Sequence, residues 1–130
     1  MNLYDIPLFG MLKGKLDWLG ERQKVLAQNI ANASTVHYRA KDLSAPSFDD
    51  LLHQASDIAK AADEPFNGMA AERAKRQLQA KIINDGEMMP NGNSVILEEQ
   101  MMKVSQTQAE FQTAIEIYRK GINLLHIALR

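Results

Sequence analysis

Residues 97–130, LEEQMMKVSQTQAEFQTAIEIYRKGINLLHIALR, are the stretch that decides the fold of this chain. Apolar side chains recur along it in alternating steps of three and four residues, and Gln108 fills the one polar position. This spacing puts them on one stripe of a helix and is typical of a coiled-coil seam. No proline interrupts the stretch, so the pattern predicts one long helix. Its predicted assembly seam consists of Met101, Val104, Phe111, Ile115, Tyr118, Ile122, Leu125 and Leu129.

A second stretch, residues 8–33, repeats the same spacing near the other end of the chain. Pro7 suits the first turn of this helix, because the N–H that proline lacks has no helical partner there. Gly10, Gly14 and Gly20 each lower the intrinsic helix propensity by ~1 kcal/mol relative to alanine. The first helix is therefore expected to need a packing partner. Its predicted seam residues are Leu12, Leu16, Leu19, Leu26 and Ile30.

Two such stripes predict an all-α fold, in which long amino- and carboxy-terminal heptad helices form a coiled-coil-like hairpin around an irregular or partly ordered central insert. The expected divisions are residues 1–35 for the first helix, 36–93 for the central loop and insert, and 94–130 for the last helix. Asn93 or Ser94 is expected to cap the last helix, because both side chains accept hydrogen bonds from free backbone N–H groups.

The register of the hairpin is a further prediction. If the helices run antiparallel, Leu26 faces Gln108 and Gln23 faces Phe111. The two polar positions then lie in adjacent layers, where one buried polar residue per helix specifies register.

Both helices carry apolar residues outside the predicted seam. Helices that are apolar on several faces need several neighbours. The pattern alone is equally consistent with an ordinary bundle, whose insert covers the spare face, and with a subunit that shares its core with other subunits. The residues of this second interface are Met11, Trp18 and Val25 on the first helix, and Ile117, Leu124 and Ile127 on the last.

Composition and motifs argue against several classes of function. The 130 residues have a formal net charge of −1 and a pI of about 6.3, which gives no electrostatic reason to expect a nucleic-acid partner. Cysteine is absent, and the three histidines do not have the spacing of zinc ligands. The start of the chain lacks the basic and apolar regions of a cleaved signal peptide, and no run reaches the ~20 apolar residues of a membrane span. We expect no enzyme, no cofactor and no metal site.

Two motifs carry a resemblance to a known family. The stretch QNIANASTVHYRA, residues 28–40, resembles the N-I-A-N-x-x-T-P-G-Y motif of bacterial flagellar rod and hook proteins. Residues 90–101, PNGNSVILEEQM, are similar to the G-N-x-V-x-L-E-E-x-M segment of the proximal rod proteins in that family. Val36 and His37 stand where the family usually has Pro-Gly, and Ile96 stands where an acidic residue is common. The motif residues present are Asn29, Asn32, Thr35, Tyr38, Gly92, Asn93 and Val95.

The resemblance implies a structural subunit of the proximal rod of the flagellar basal body. Such a subunit leaves the cytoplasm unfolded through the type III export apparatus, without a cleaved signal peptide, and its terminal helices polymerise into the periplasmic axial drive shaft. The implied partners are copies of itself, other rod proteins, the MS ring or its small adaptor subunit, and the export gate. Phe48 and Leu52 resemble the short signal that axial subunits present to that gate. The alternatives are a different flagellar axial subunit, or a soluble helical adaptor or chaperone that binds partner helices.

Overall fold

The computed structural model describes residues 7–61, 81–82 and 87–130. It confirms a mostly helical chain with long helices near both ends. Two short strands also pair antiparallel, with Lys41 opposite Ile82. Within the predicted central loop and insert, residues 36–93, residues 62–80 and 83–86 lie outside the described residues. The elements in chain order are helix α1 (Pro7–Ala31), strand β1 (Lys41–Asp42), helix α2 (Phe48–Ala61), strand β2 (Lys81–Ile82) and helix α3 (Leu97–Ala128).

Helices α1 and α3 pack side by side and run antiparallel. Near one end the ring of Phe9 meets that of Tyr118 edge-on, with centroids 5.4 Å apart. Near the other end the side chain of Asn29 donates a hydrogen bond to Gln100 at 2.9 Å. With 32 residues at ~1.5 Å per residue, α3 is about 48 Å long. Within the described part of the chain, no helix is both long and apolar enough to cross a bilayer.

The contact of α3 with α1 follows a line of small and polar residues. Gln100, Thr107 and Ala114 are the buried residues of α3, at successive steps of seven. Gly121 continues the line, and a Cβ added there would come within 3.0 Å of Phe9. Small residues allow close approach of the two backbones. The contact within the chain is therefore centred beside the predicted apolar stripe and not on it.

The predicted assembly seam of α3 lies at the edge of the contact between α1 and α3. Its residues between Val104 and Leu125 are half-buried, apart from the exposed Gln108. Met101 is 57% exposed and Leu129 is 77% exposed. On α1 the predicted seam residues Leu19 and Leu26 are fully buried, whereas Leu12, Leu16 and Ile30 are half-buried.

The predicted register is wrong by more than one helical turn. Phe111 packs against a core cluster of Trp18, Leu19 and Leu43, and not opposite Gln23. Gln108 is exposed, so it specifies nothing within the chain. The buried polar pair is formed instead by Asn29 and Gln100, and it lies at the end of the helix pair.

Trp18, predicted to lie in a second interface, belongs to the core of the chain itself. The side chain is only 4% exposed, and its indole N–H donates to the carbonyl of Ser44 at 2.8 Å. The cationic groups of Lys15 and Arg22 lie over its ring. Arg22 also binds both carboxylate oxygens of Asp42, at 3.0 and 3.2 Å. The segment after α1 therefore covers this part of its spare face.

Helix α2, with 14 residues, lies in the region that the sequence pattern predicts to be irregular or partly ordered. Its start is a capping box: the Ser47 hydroxyl accepts from the N–H of Asp50, and the Ser47 N–H donates back to the Asp50 carboxylate. The Ser47 hydroxyl also donates to the Asp50 carboxylate, and this bond, followed by that of the Ser47 N–H, holds the pKa of Asp50 below its usual value. Further along, a Cβ on Gly10 of α1 would come within 2.8 Å of the Cβ of Ala55. Glycine at this position lets α1 and α2 pack in direct contact.

Candidate functional site

The motif residues come together where α1 ends and α3 begins, and Asn29 is at their centre. Its amide group donates to the carbonyl of Lys41 at 2.6 Å and to the side chain of Gln100 at 2.9 Å. Its oxygen accepts from the Lys41 N–H and from the Tyr38 hydroxyl, at 3.0 and 3.1 Å. A side-chain amide has two donors and two acceptor sites, so all of them are used. Asn29 is completely buried.

Asn93 makes a second buried connection beside the first. Its amide donates to the carbonyls of Asn32 and Thr35, at 2.9 and 2.7 Å, and its oxygen accepts from the N–H of Val95 at 2.7 Å. The carbonyls at the end of α1 have no partner inside the helix. Asn93 therefore supplies a donor to the residues just after α1 and ties them to the approach to α3. The bonds made by Asn29 and Asn93, with the backbone bonds around them, are called the motif junction below.

Backbone bonds close the motif junction. His37 donates to the carbonyl of Asn91, and Ser94 donates to that of Tyr38, both at 3.0 Å. The Ser94 hydroxyl accepts from the N–H of Ala40 at 3.0 Å. Burial also raises the pKa of the Tyr38 hydroxyl above its ordinary value. Two separate segments of the chain are thus joined into one rigid corner.

The turn that usually contains Pro-Gly forms here without those residues. His37 has φ of +60°, and Gly92 beside it has φ of +79°. Both values lie in the left-handed region, which glycine adopts freely and histidine adopts at a cost. A Cβ on Gly92 would also clash with the His37 ring unless that ring turned aside, and the left-handed φ by itself favours glycine at 92.

The expected capping residues of α3 have other roles. The residue at the N-cap position is Ile96, which makes no side-chain capping bond, while Asn93 and Ser94 bind within the motif junction. Glu98 and Glu99 lie in the first turn, where a negative charge is favourable near the free N–H groups of a helix. The prediction that Asn93 or Ser94 caps α3 is therefore wrong.

Apart from Phe48 and Leu52 on α2, the large apolar side chains exposed in the described residues are concentrated at the two ends of the helix pair. None of the large apolar side chains in residues 9–35 or 103–116, all of which the structure describes, is exposed. Those beside the motif junction, called the junction patch, are Val36, Met88, Met89, Leu97, Met101 and Met102. Those at the opposite end, called the far-end patch, are Leu8, Ile117, Leu124, Ile127 and Leu129.

The structure distributes the predicted site residues unevenly. It brings all seven motif residues into or beside the motif junction. Of the predicted second interface, Ile117, Leu124 and Ile127 are exposed, while Met11 and Val25 are half-buried. Phe48 and Leu52, the predicted export signal, are both exposed on the first turns of α2. Within the described residues, no group of three or more acidic or histidine side chains is placed to hold a metal ion.

Sequence reasoning missed Gln100 and Lys41 as members of the motif junction. Gln100 falls within the second motif, but at a position that the motif leaves open. Its spacing of seven from Thr107 and fourteen from Ala114 is a signal that could have placed it on the inner face of α3. Lys41 contributes only its backbone groups, so its residue type carries no signal.

The fold and the motif junction define a class of small helical protein. Its two long helices are joined by hydrogen bonds at one end of the pair, and they expose apolar side chains at both ends. Similar proteins identify that class. The chain is 29% identical to a flagellar basal body rod protein of Bacillus subtilis, over 83% of this chain and 81% of the relative. It is 29% identical to one of Agrobacterium fabrum, over 85% and 83%, and 25% identical to one of Aeromonas hydrophila, over 94% and 92%. No family model matches the chain.

All three relatives are named flagellar basal body rod protein FlgB. Together they confirm the resemblance carried by the two motifs, and they support the FlgB family as the family that this chain resembles. They indicate a component of the flagellar rod, located in the basal body.

Proposed function

We propose that this chain is a structural, non-catalytic subunit of the proximal rod, which polymerises through its terminal helices into the axial drive shaft of the flagellum. The observation that supports this most directly is that the motif junction joins the two helices while large apolar side chains of the described residues are exposed at both ends of the pair. The motif junction fixes how α1 and α3 lie together. The residues beyond it leave large apolar side chains in water, as surfaces that pack against other proteins do.

The half-buried stripe from Val104 to Leu125 is the lateral part of this surface. Beside it, the inner line of α3 contacts α1 through small residues, so the larger apolar side chains stay at the edge of the pair. A neighbouring helix laid along that edge would bury them, as in an assembly of many helices. Residues 1–35 and 94–130 would then form the rod core, with residues 36–93 between them.

Export and outer contacts complete the proposal. The subunit leaves the cytoplasm unfolded, and it folds in the periplasm at the growing tip. Phe48 and Leu52, four positions apart in the sequence, form the apolar pair that the type III export gate binds. Further partners are other rod proteins and the MS ring or its small adaptor subunit.

The decisive experiment is complementation of a strain that lacks this gene. We expect such a strain to be non-motile and without rods in isolated basal bodies, and the unchanged gene to restore both. A variant with Ile115→Asp, which puts a charge in the half-buried stripe, should fold but not restore rods. Gln112→Asp, an equal change at an exposed position of α3, is the matched control. Intact rods in the deletion strain would contradict the proposal.

A further inference from the structure

Four of the seven methionines of the chain lie in the junction patch. Met88 and Met89 precede the turn at Gly92, and Met101 and Met102 lie in the second turn of α3. Their exposed fractions range from 45% for Met89 to 74% for Met102. Methionine is among the side chains that proteins most often bury. The junction patch instead presents four thioether side chains to solvent.

The far-end patch is also exposed, but it contains no sulfur. Its members are leucine and isoleucine, whose saturated side chains peroxides do not oxidise. Met11, the remaining methionine in the described residues, is half-buried on α1. In the part of the chain that the structure describes, the exposed thioethers are therefore confined to one end of the helix pair.

Thioethers are the groups that peroxides oxidise most readily in this chain. Cysteine, whose thiolate would compete for the oxidant, is absent. The sulfur lone pair attacks one oxygen of the peroxide, the O–O bond breaks, and a sulfur–oxygen bond forms. Hydrogen peroxide leaves as water, so the sulfur loses the two electrons that the peroxide gains. The products are methionine sulfoxide and water, and the step needs no other reactant.

Oxidation would change the junction patch and leave the fold intact. A sulfoxide is polar where the thioether was apolar, so four of the six members of the patch would become polar. Val36 and Leu97 would remain apolar. The core cluster of Trp18, Leu19 and Leu43 contains no methionine. Because the four oxidised side chains are exposed, their conversion does not place a polar group in the core.

From these observations we infer that the junction patch is a reversible oxidation site for peroxides, at which Met88, Met89, Met101 and Met102 become sulfoxides. The oxidised subunit is polar at this end, while the far-end patch keeps its apolar character. Methionine sulfoxide reductases restore the thioethers, with one enzyme for each sulfoxide epimer. The inference concerns the free subunit and does not rest on the proposed function.

Peptide mass spectrometry of the full chain after exposure to hydrogen peroxide tests the location of the site. We expect Met101 and Met102 to gain one oxygen each several-fold faster than Met11, because burial shields the thioether of Met11 from the oxidant. Met88 and Met89 should also react faster than Met11. Equal rates at Met11 and Met102 would overturn the inference, since exposure would then not select the junction patch.

A quadruple variant separates the patch from the other methionines. Met88→Leu, Met89→Leu, Met101→Leu and Met102→Leu together keep an apolar side chain at each position and remove its sulfur. Oxidation should reduce the retention of the unchanged chain on a hydrophobic interaction column and leave that of the variant unchanged. Both should keep their circular dichroism spectra. Equal loss of retention in both forms, full retention of the oxidised unchanged chain, or loss of its helical spectrum would each contradict the inference.

Enzymatic reduction tests whether the site is reversible. The two methionine sulfoxide reductases together should restore the retention of the oxidised chain, and either enzyme alone should restore it only in part, because each reduces one epimer. Persistent loss of retention after treatment with both enzymes would refute a reversible site. These results are separate from the rod role: rods that persist in the deletion strain would refute the proposed function and leave the oxidation site standing.

Discussion

Replacement of Asn29 by alanine tests the motif junction most directly. The change removes four hydrogen bonds at once and leaves their partners in place: the Lys41 N–H and carbonyl, the Tyr38 hydroxyl and the Gln100 amide. A hydrogen bond contributes ~0.5–1.5 kcal/mol net, and a buried partner left unpaired costs ~1–3 kcal/mol. Water reaches Tyr38 and Lys41 in part, since both are half-buried, whereas Gln100 is almost fully buried.

We therefore expect Asn29→Ala to lower the free energy of unfolding by about 3 kcal/mol, toward the small end of that sum because two of the partners can bind water. For a chain of this size, such a loss lowers the melting temperature by roughly 10 °C. The assay is thermal unfolding of the full chain, followed by circular dichroism and supported by urea titration. Asn29→Asp should be at least as harmful, because a carboxylate oxygen would face the Lys41 carbonyl.

The matched control is Gln28→Ala, the neighbouring position on α1. Its side chain is exposed, and its backbone carbonyl, which accepts from Asn32, is kept by the substitution. We expect this variant to melt within about 2 °C of the unchanged protein. If Asn29→Ala melts as high as Gln28→Ala, the buried network does not hold the two helices together, and the reasoning from its hydrogen bonds fails.

Three further predictions address other parts of the chain. Gly10→Ala should destabilise the fold by ~1–3 kcal/mol, because the added Cβ meets Ala55. Gly20→Ala, with open space around it, should stabilise the fold by ~0.5–1 kcal/mol. If urea titrations show that both variants change the free energy of unfolding in the same direction, the packing of α2 on α1 is refuted. His37→Gly should raise the melting temperature by ~2–4 °C, because glycine adopts the left-handed φ of +60° without strain. A lower melting temperature would mean that the imidazole stabilises the fold by more than the strained backbone of His37 destabilises it. Phe48→Ala with Leu52→Ala should reduce the fraction of chain found outside the cytoplasm while leaving the melting temperature nearly unchanged, and normal export of this double variant would rule out the pair as a signal.

The heptad spacing was sufficient to predict α1 and α3, since apolar periodicity over so many turns has few other solutions. It misplaced the contact between them, because heptad spacing identifies the stripe of large apolar residues. The inner line of Gln100, Thr107, Ala114 and Gly121 is small or polar, and its value lies in letting two backbones approach. How closely the two backbones approach depends on both helices, so the apolar pattern of one helix does not reveal it.

The register and α2 were missed for related reasons. The positions of Gln23 and Gln108 in the repeat predicted that they form the buried polar layer. The buried polar residues are instead Asn29 and Gln100, which hydrogen-bond to each other in the motif junction. Helix α2 starts with a serine and an aspartate in a capping box, and its contact with α1 depends on glycine at position 10. The motif residues, in contrast, were all identified, because the resemblance names them by position.

The motif junction also bears on the order in which the chain can fold. Asn29 and Gln100 are separated by 71 positions, so their bond closes a very long loop, and long-range contacts of this kind form slowly. The bonds of Asn93 to the end of α1 span 58 and 61 positions. A chain that emerges from a narrow passage amino end first would therefore remain open until about its last third arrived. Residues 93–100 would act as a latch, which closes only after most of the chain has emerged.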